Sequence, residues 1–253
     1  MLHDAADMRQ RIGPQVSAAP GSRPSRVTLT ATTVVVEPLM PSHATDLYDL
    51  VKGDSNNHLW TYLFDNPFES LAAFQEAVTA KSHSEDPLFF AIINKESAKP
   101  VGWISLMRID TRHRVVEVGN ILFSPLLQRT KAATEAMYLL AKYVFETLQY
   151  RRYEWKCDNL NVPSKRAAIR FGFTFEGVFR KHMIYKGRSR NTCWLSMVDD
   201  DWFEGGVKRG FEDWLAEGNF DEDGKQRRRL EDVRRELNGQ KGPVVLEVSA
   251  GDS

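Results

Sequence analysis

The chain has 253 residues, 42% of them hydrophobic and 27% charged, enough for one sizeable core with extensions or for two small domains. Thirty-four basic and thirty-four acidic side chains cancel, which excludes a global field drawing the chain to nucleic acid or to an anionic membrane. Any anion site must therefore be local. Two cysteines, Cys157 and Cys193, no signal-peptide pattern and no apolar run near about 18 residues point to a reduced, soluble, cytoplasmic protein. A disulfide between the cysteines is the minority reading for that compartment. A mitochondrial leader is the lesser alternative, opposed by Asp4 and Asp7 among the arginines and serines.

In chain order, residues 1–30 carry Pro, Gly, Ser and Arg without apolar periodicity and read as a mobile tail. "TTVVVEPL" reads as a strand, and "MPSHATDLYDLVKG" as a helix starting at Pro41-Ser42 and stopping at Gly53. "NPFESLAAFQEAVTAKSH" gives a second helix with Leu71, Phe74 and Val78 on one face. "PLFFAII", "PVGWISLMRID" and "RVVEVGNILFS" follow as strands, the first two joined by the turn-like "NKESAK". A helix over 132–148 leads to the strand "YRRYEWKC" and then to a short helix, "PSKRAAIRFG", ended by Gly172. "TFEGVFRKHMIY" and "RNTCWLSMV" close as a hairpin across Lys186-Gly187. Val207, Phe211, Trp214 and Leu215 mark a helix packed back on the core. Asp221 to Asn238, with six acidic and six basic residues among eighteen, reads as a solvated helix supported by pairs such as Glu231 with Arg235.

This order implies an α/β fold, a single domain with a mixed sheet and helices on both faces. No G-x-G-x-x-G follows a strand and no G-x-x-x-x-G-K-[ST] occurs, so the phosphate cradles of dinucleotide and P-loop proteins are missing. A G-x-S-x-G elbow is absent as well, which sets a serine hydrolase aside. The six histidines form no H-E-x-x-H and do not pair with the cysteines at metal-ligand spacing, so no metal is expected.

One stretch asks for more than packing. In "SPLLQRTKAATEAMYLL" a long helix opens on Gln128, Arg129, Thr130 and Lys131 followed by two alanines. Unpaired N–H groups, the positive end of the helix dipole and small side chains make such a start a place to hold an anion. A solvated surface with helix-favouring alanines is the alternative.

The run "EVGNILFSPLLQRTKAATEAMYLL", followed by "RRYEWKCDNLNVPSKRAAIRFGFTFEGVFRKHMIYKG", resembles the GCN5-related N-acetyltransferase (GNAT) family, in its ribosomal-protein acetyltransferase-like (RimJ/RimL-type) branch. The likeness spans roughly 32–203. It implies one GNAT domain over 31–217 with a central, mostly antiparallel mixed sheet, preceded by the tail at 1–30 and followed by a charged, partly helical extension at 218–253. It also implies acetyl-CoA as cosubstrate and direct transfer of its acetyl group to a primary amine, a peptide N-terminus or a small molecule, within a ternary complex. A non-catalytic acyl-CoA-binding protein on the same scaffold is the alternative. Neither nucleic acid nor membrane is an expected partner, and a monomer or homodimer is expected.

Carried over by position, the family's Q/R-x-x-G-x-G/A loop falls on Gln128, Arg129, Thr130, Lys131, Ala132 and Ala133, with Ile121, Leu122 and Phe123 as further cofactor-binding residues. Lys131 stands where many relatives have glycine. Glu117 falls where the family often places a carboxylate acting through water, a structural strand glutamate being the other reading. The family tyrosine seven positions after Asn161 is replaced by Ala168, whereas Ser164, three positions after it, matches the branch with a serine hydroxyl near the sulfur. Ser164 is thus a candidate acid or a helix cap, and Asn161 a pantetheine contact or an Asx turn. Trp60, Tyr62, Phe64, Trp103 and Tyr185, with Arg180 behind them, are candidate acceptor-site residues or core aromatics.

Overall fold

The computed structural model describes residues 12–17 and 19–239. Eight strands form one sheet: β1 (Leu29–Thr30), β2 (Val34–Pro38), β3 (Leu88–Asn94), β4 (Lys99–Asp110), β5 (Val115–Phe123), β6 (Arg152–Asp158), β7 (Thr174–Tyr185) and β8 (Arg188–Val198). Their order is β1-β2-β3-β4-β5-β6-β8-β7, and every adjacent pair is antiparallel except β5 with β6. That parallel pair is joined by the crossover helix α3 (Lys131–Lys142), which runs on as a π-helical turn over Tyr143–Thr147.

Strand alternation sends successive side chains to opposite layers. Phe89 and Ala91 of β3 join α1 (Ala44–Val51) and α2 (Leu71–His83) around Phe74, Trp60 and Trp103. Leu88, Phe90 and Ile92 face the larger core under α3. Because both faces are covered, β3 is apolar from Leu88 to Ile93, and "PLFFAII" shows a run where a half-buried strand would alternate. The hairpin β7–β8 turns at Lys186 and Gly187, whose φ values of 50° and 68° suit the tight turn expected there.

Segments at both ends are laid against this body. Within the stretch expected as a mobile tail, the Gly21 N–H donates to the Thr111 carbonyl at 2.8 Å and the Ser25 N–H to the Tyr143 hydroxyl at 3.0 Å. The remainder of that expected tail, 1–11 and 18, lies outside the described residues, as does 240–253 of the C-terminal extension.

α4 (Val162–Arg170), α5 (Asp199–Phe203), α6 (Val207–Leu215) and α7 (Leu230–Leu237) complete the helices. Where a solvated helix is expected, α7 instead buries Leu230 and Val233 in the larger core. Its Arg234 crosses α6 where Gly210 offers no side chain, and donates from Nη2 to the Ile169 carbonyl at 2.9 Å. Leu230→Ala is expected to cost about 2–5 kcal/mol in urea unfolding, the range for a buried leucine; a loss below about 0.5 kcal/mol, typical of surface changes, would make α7 an appendage.

Among the described residues no helix is long and apolar enough to cross a membrane. None of their His, Cys, Asp and Glu side chains cluster in groups of three or more that could hold a metal ion.

Candidate functional site

β5 and β6 pair only from Val115↔Arg152 to Val118↔Trp155. Beyond that point Gly119 to Phe123 bends away, helped by a left-handed backbone at Asn120 with φ 49° and a register shift in its pairing with β4. The parted strands open a cavity of about 1050 Å³ that Glu117, Trp155, Asp158 and the start of α3 all line.

At one end stands the loop before α3. Thr130 caps the helix, its Oγ1 accepting from the Ala133 N–H at 3.1 Å. That bond takes one N–H of the expected anion cradle. The N–H groups of Arg129, Thr130, Lys131 and Ala132 make no hydrogen bond to a described residue. They lie at the positive end of a twelve-residue helix. The left-handed residue is Arg129, φ 63°, and not Lys131, which opens the helix. This is why a lysine fits where relatives have glycine. Lys131 Nζ lies 4.6 Å from the centre of the Phe220 ring. Gln128 donates to the Phe123 carbonyl at 2.9 Å, tying the loop to β5. Ile121 and Phe123 line the cavity half-buried, while Leu122 is 1% exposed and mainly fills the second core.

In the middle of the cleft Glu117 is 3% exposed. Its Oε2 accepts from Arg108 Nη1 and lies 2.9 Å from Lys156 Nζ, which also reaches Glu154 at 2.6 Å and stands over the Trp194 ring. Across from it α4 begins. Asn161 is the cap, its Oδ1 accepting from the Ser164 N–H at 3.1 Å, so the capping role considered for Ser164 belongs to Asn161. Ser164 Oγ accepts from Trp155 Nε1 at 2.9 Å, which leaves the hydroxyl proton for another acceptor. Cys157, beside Ser164, pairs directly with Cys193 across β6 and β8. Its hydrogen bond to Cys193, with burial, pushes the thiol above its ordinary pKa.

At the far end, Tyr62 and Phe64 line the cavity, the Tyr62 hydroxyl donating to the Leu160 carbonyl at 3.1 Å. Tyr185 packs against Phe64 and donates to Asp158 Oδ2 at 3.0 Å; burial, then this bond, pushes its phenol up to about 12. Trp60 and Trp103 do not reach the cleft. Each is 1% exposed, 6.2 Å apart in an aromatic stack with Phe74, and they are core residues. Trp60 ends the 3-10 helix Asp54–Trp60 and is buried there. Arg180 is exposed on β7, away from the cavity lining.

Asp158, Arg190 and the loop 220–226 line the cavity without having been singled out by sequence. Phe220 and Gln226 pair as an isolated bridge, and Gln226 accepts from Trp214 Nε1 at 3.0 Å, which holds the loop beside the start of α3. A lone aromatic in a run of charges carries no periodic signal. Only the fold brings it to Lys131.

The matching family model is described as an acetyltransferase (GNAT) domain and spans residues 33–174. A solved structure of a GCN5-related N-acetyltransferase from Brucella melitensis is 44% identical, with a TM-score of 0.83, over 85% of this chain and 97% of that one. A probable acetyltransferase of the GNAT family from Chromobacterium violaceum is 34% identical over 76% of this chain and 98% of that one, with a TM-score of 0.69. A spermidine N(1)-acetyltransferase of Escherichia coli is 25% identical over 153 residues, covering 60% of this chain and 81% of that protein. With more than half of its length matched by that model, and with the parted parallel strands and helix-start cradle in place, the chain belongs to the GNAT acetyltransferase family.

Proposed function

We propose that the protein moves an acetyl group from acetyl-CoA to a primary amine by direct attack in a ternary complex. The observation that carries this reading is the loop before α3, where Arg129, Thr130 and Lys131, their N–H groups without a partner among the described residues, line the same cavity as Glu117 and Ser164. Those donors, with Arg129 beside them, suit a diphosphate, and the split between β5 and β6 suits an extended pantetheine arm. Asn161 keeps its side-chain N–H₂ for that arm, since its capping bond uses Oδ1.

Acetyl-CoA supplies the thioester whose carbonyl carbon the amine attacks. At neutral pH most amines of pKa about 8 to 10.4 arrive protonated, so a base is useful. Glu117 is proposed to take that proton through a water. Its Oε2 is fixed by Arg108 and Lys156, so the carboxylate is already oriented in the cleft. As the C–N bond forms and the C–S bond breaks, the departing thiolate takes a proton. Ser164 is the proposed donor, because accepting from Trp155 directs its own proton elsewhere. This serine, with Ala168 in place of the family tyrosine, supports placement in the RimJ/RimL-type branch.

The test is thiol release from acetyl-CoA with a panel of amines and N-terminal peptides, followed by mass analysis of the products. No acetylated amine across the panel would overturn the reading. Arg129→Glu is expected to raise the dissociation constant for acetyl-CoA about 10- to 150-fold, the loss of one charge-assisted hydrogen bond worth about 1.5–3 kcal/mol. Unchanged affinity by calorimetry in a folded variant would remove the loop from the site.

A further inference from the structure

Arg190 is 6% exposed, yet it lines the cavity and has no carboxylate within salt-bridge distance among the described residues. Its one hydrogen bond there is from Nε to Thr192 Oγ1 at 3.0 Å. A guanidinium carries five donors, and holding it out of water without an anion is costly. The other cations of the middle of the cleft are matched, Arg108 and Lys156 both on Glu117. The carboxylate at Arg190's end, Asp158, is spent on the Leu160 N–H at 2.9 Å and the Tyr185 hydroxyl at 3.0 Å. Phe64 and Tyr185 flank the guanidinium with ring centres 6.0 and 5.7 Å from its central carbon, at the edge of cation–π range. They frame it without neutralising it.

We propose that Arg190 anchors a carboxylate carried by the amine acceptor, so that the acceptor is an amine whose own molecule bears an acid group. This rests on the acetyl-transfer reading of the site. The fork of Nη donors left over by Thr192 matches a planar carboxylate in two-pronged pairing. Phe64 and Tyr185 then contact the apolar part of the same molecule. A polyamine is a poor fit. It would bring several positive charges to a wall where Arg190 is unpaired and both carboxylates are engaged, and like charges brought together discriminate against a ligand.

The experiment compares acceptors with and without the acid, rates being taken per neutral amine because amidation lowers the α-amine's own pKa: phenylalanine with phenylalaninamide, and C-terminally amidated peptides beginning Ser-Glu with those beginning Ser-Gln, with spermidine alongside. In the wild type the acid member of at least one pair is expected to exceed its neutral counterpart in kcat/KM by about 10-fold or more, the size of one charge-assisted pair. The free amino acid arm and the peptide arm tell the source of the carboxylate. In Arg190→Gln that ratio falls toward one, and in Arg190→Lys, which keeps charge but not the fork, it lies between. A wild-type ratio near one in both pairs overturns the proposal, as does a folded Arg190→Gln that keeps the ratio or spermidine as the best acceptor. Should neither variant fold, the wild-type ratios decide. A clamp that only positions Phe64 and Tyr185 would weaken acid and amide alike. Calorimetry of N-acetylphenylalanine, the N-acetylated peptides and their neutral counterparts reads the anchor without turnover. Acid-dependent binding with no acetylation of any amine removes the transfer reading and keeps the anchor, whereas acetylation without acid preference does the reverse.

Discussion

Glu117→Gln is expected to lower kcat/KM about 10²- to 10⁴-fold at neutral pH, the range for a positioned base. The deficit shrinks as the pH approaches the amine's own pKa, about 8 for an α-amine and about 10.4 for a lysine-like one, because the acceptor then arrives neutral. The structure adds a second consequence. Glu117 is the acid that Arg108 and Lys156 share, and Lys156 is itself 5% exposed at its side chain. Gln keeps the shape but removes the charge, leaving Lys156 to Glu154 alone. Lys156 keeps Glu154 and Arg108 is 41% exposed, so the loss stays below the about 3–5 kcal/mol of a fully broken buried pair, and the variant should unfold at somewhat lower urea. The two losses separate the roles. A wild-type to mutant rate ratio that stays flat from neutral to alkaline pH, beside a clear loss of stability, would make Glu117 a node of the ion network and place the base elsewhere.

The elements that sequence shows well are those whose signals are local. Thr174 to Tyr185 is a strand that ends at the Lys186-Gly187 turn, as expected, and the helix after Thr130 has its cap, its small residues and its apolar stripe within one stretch. What sequence hides depends on pairing across long separations. Asp158 meets Tyr185, and Arg190 reaches the same cavity, because β8 inserts between β6 and β7. Nothing in the spacing of these residues announces it. The segment Trp60 to Phe64 misleads for a different reason: of its aromatics Tyr62 and Phe64 reach the cleft, whereas the 3-10 turn before them buries Trp60 against Phe68 and Phe74. In α7 the apolar signal is two buried residues among charges, and charge content outweighs them in any reading of the sequence, although packing needs only those two.

Ser164→Ala is expected to lower kcat about 10²-fold or more with little change in acetyl-CoA affinity, because a bond to the departing sulfur strengthens as charge develops there. Removing the hydroxyl also orphans the indole N–H of Trp155, a residue 6% exposed, and an unsatisfied buried donor costs about 1–3 kcal/mol. Slower turnover and lower stability would therefore appear together even if the hydroxyl only held Trp155 in place. Trp155→Phe separates the cases, since it removes the donor that Ser164 answers and keeps an aromatic ring beside Phe171 and Phe173. In that background Ser164→Ala should cost little further stability. If Ser164 protonates the thiolate, Ser164→Ala still lowers the single-turnover rate in the Trp155→Phe background, by a smaller factor because the indole N–H no longer orients the hydroxyl. If it only orients the indole, the rate loss disappears along with the stability loss. Helix capping adds no third explanation, because Asn161 supplies the cap through its own oxygen to the Ser164 N–H.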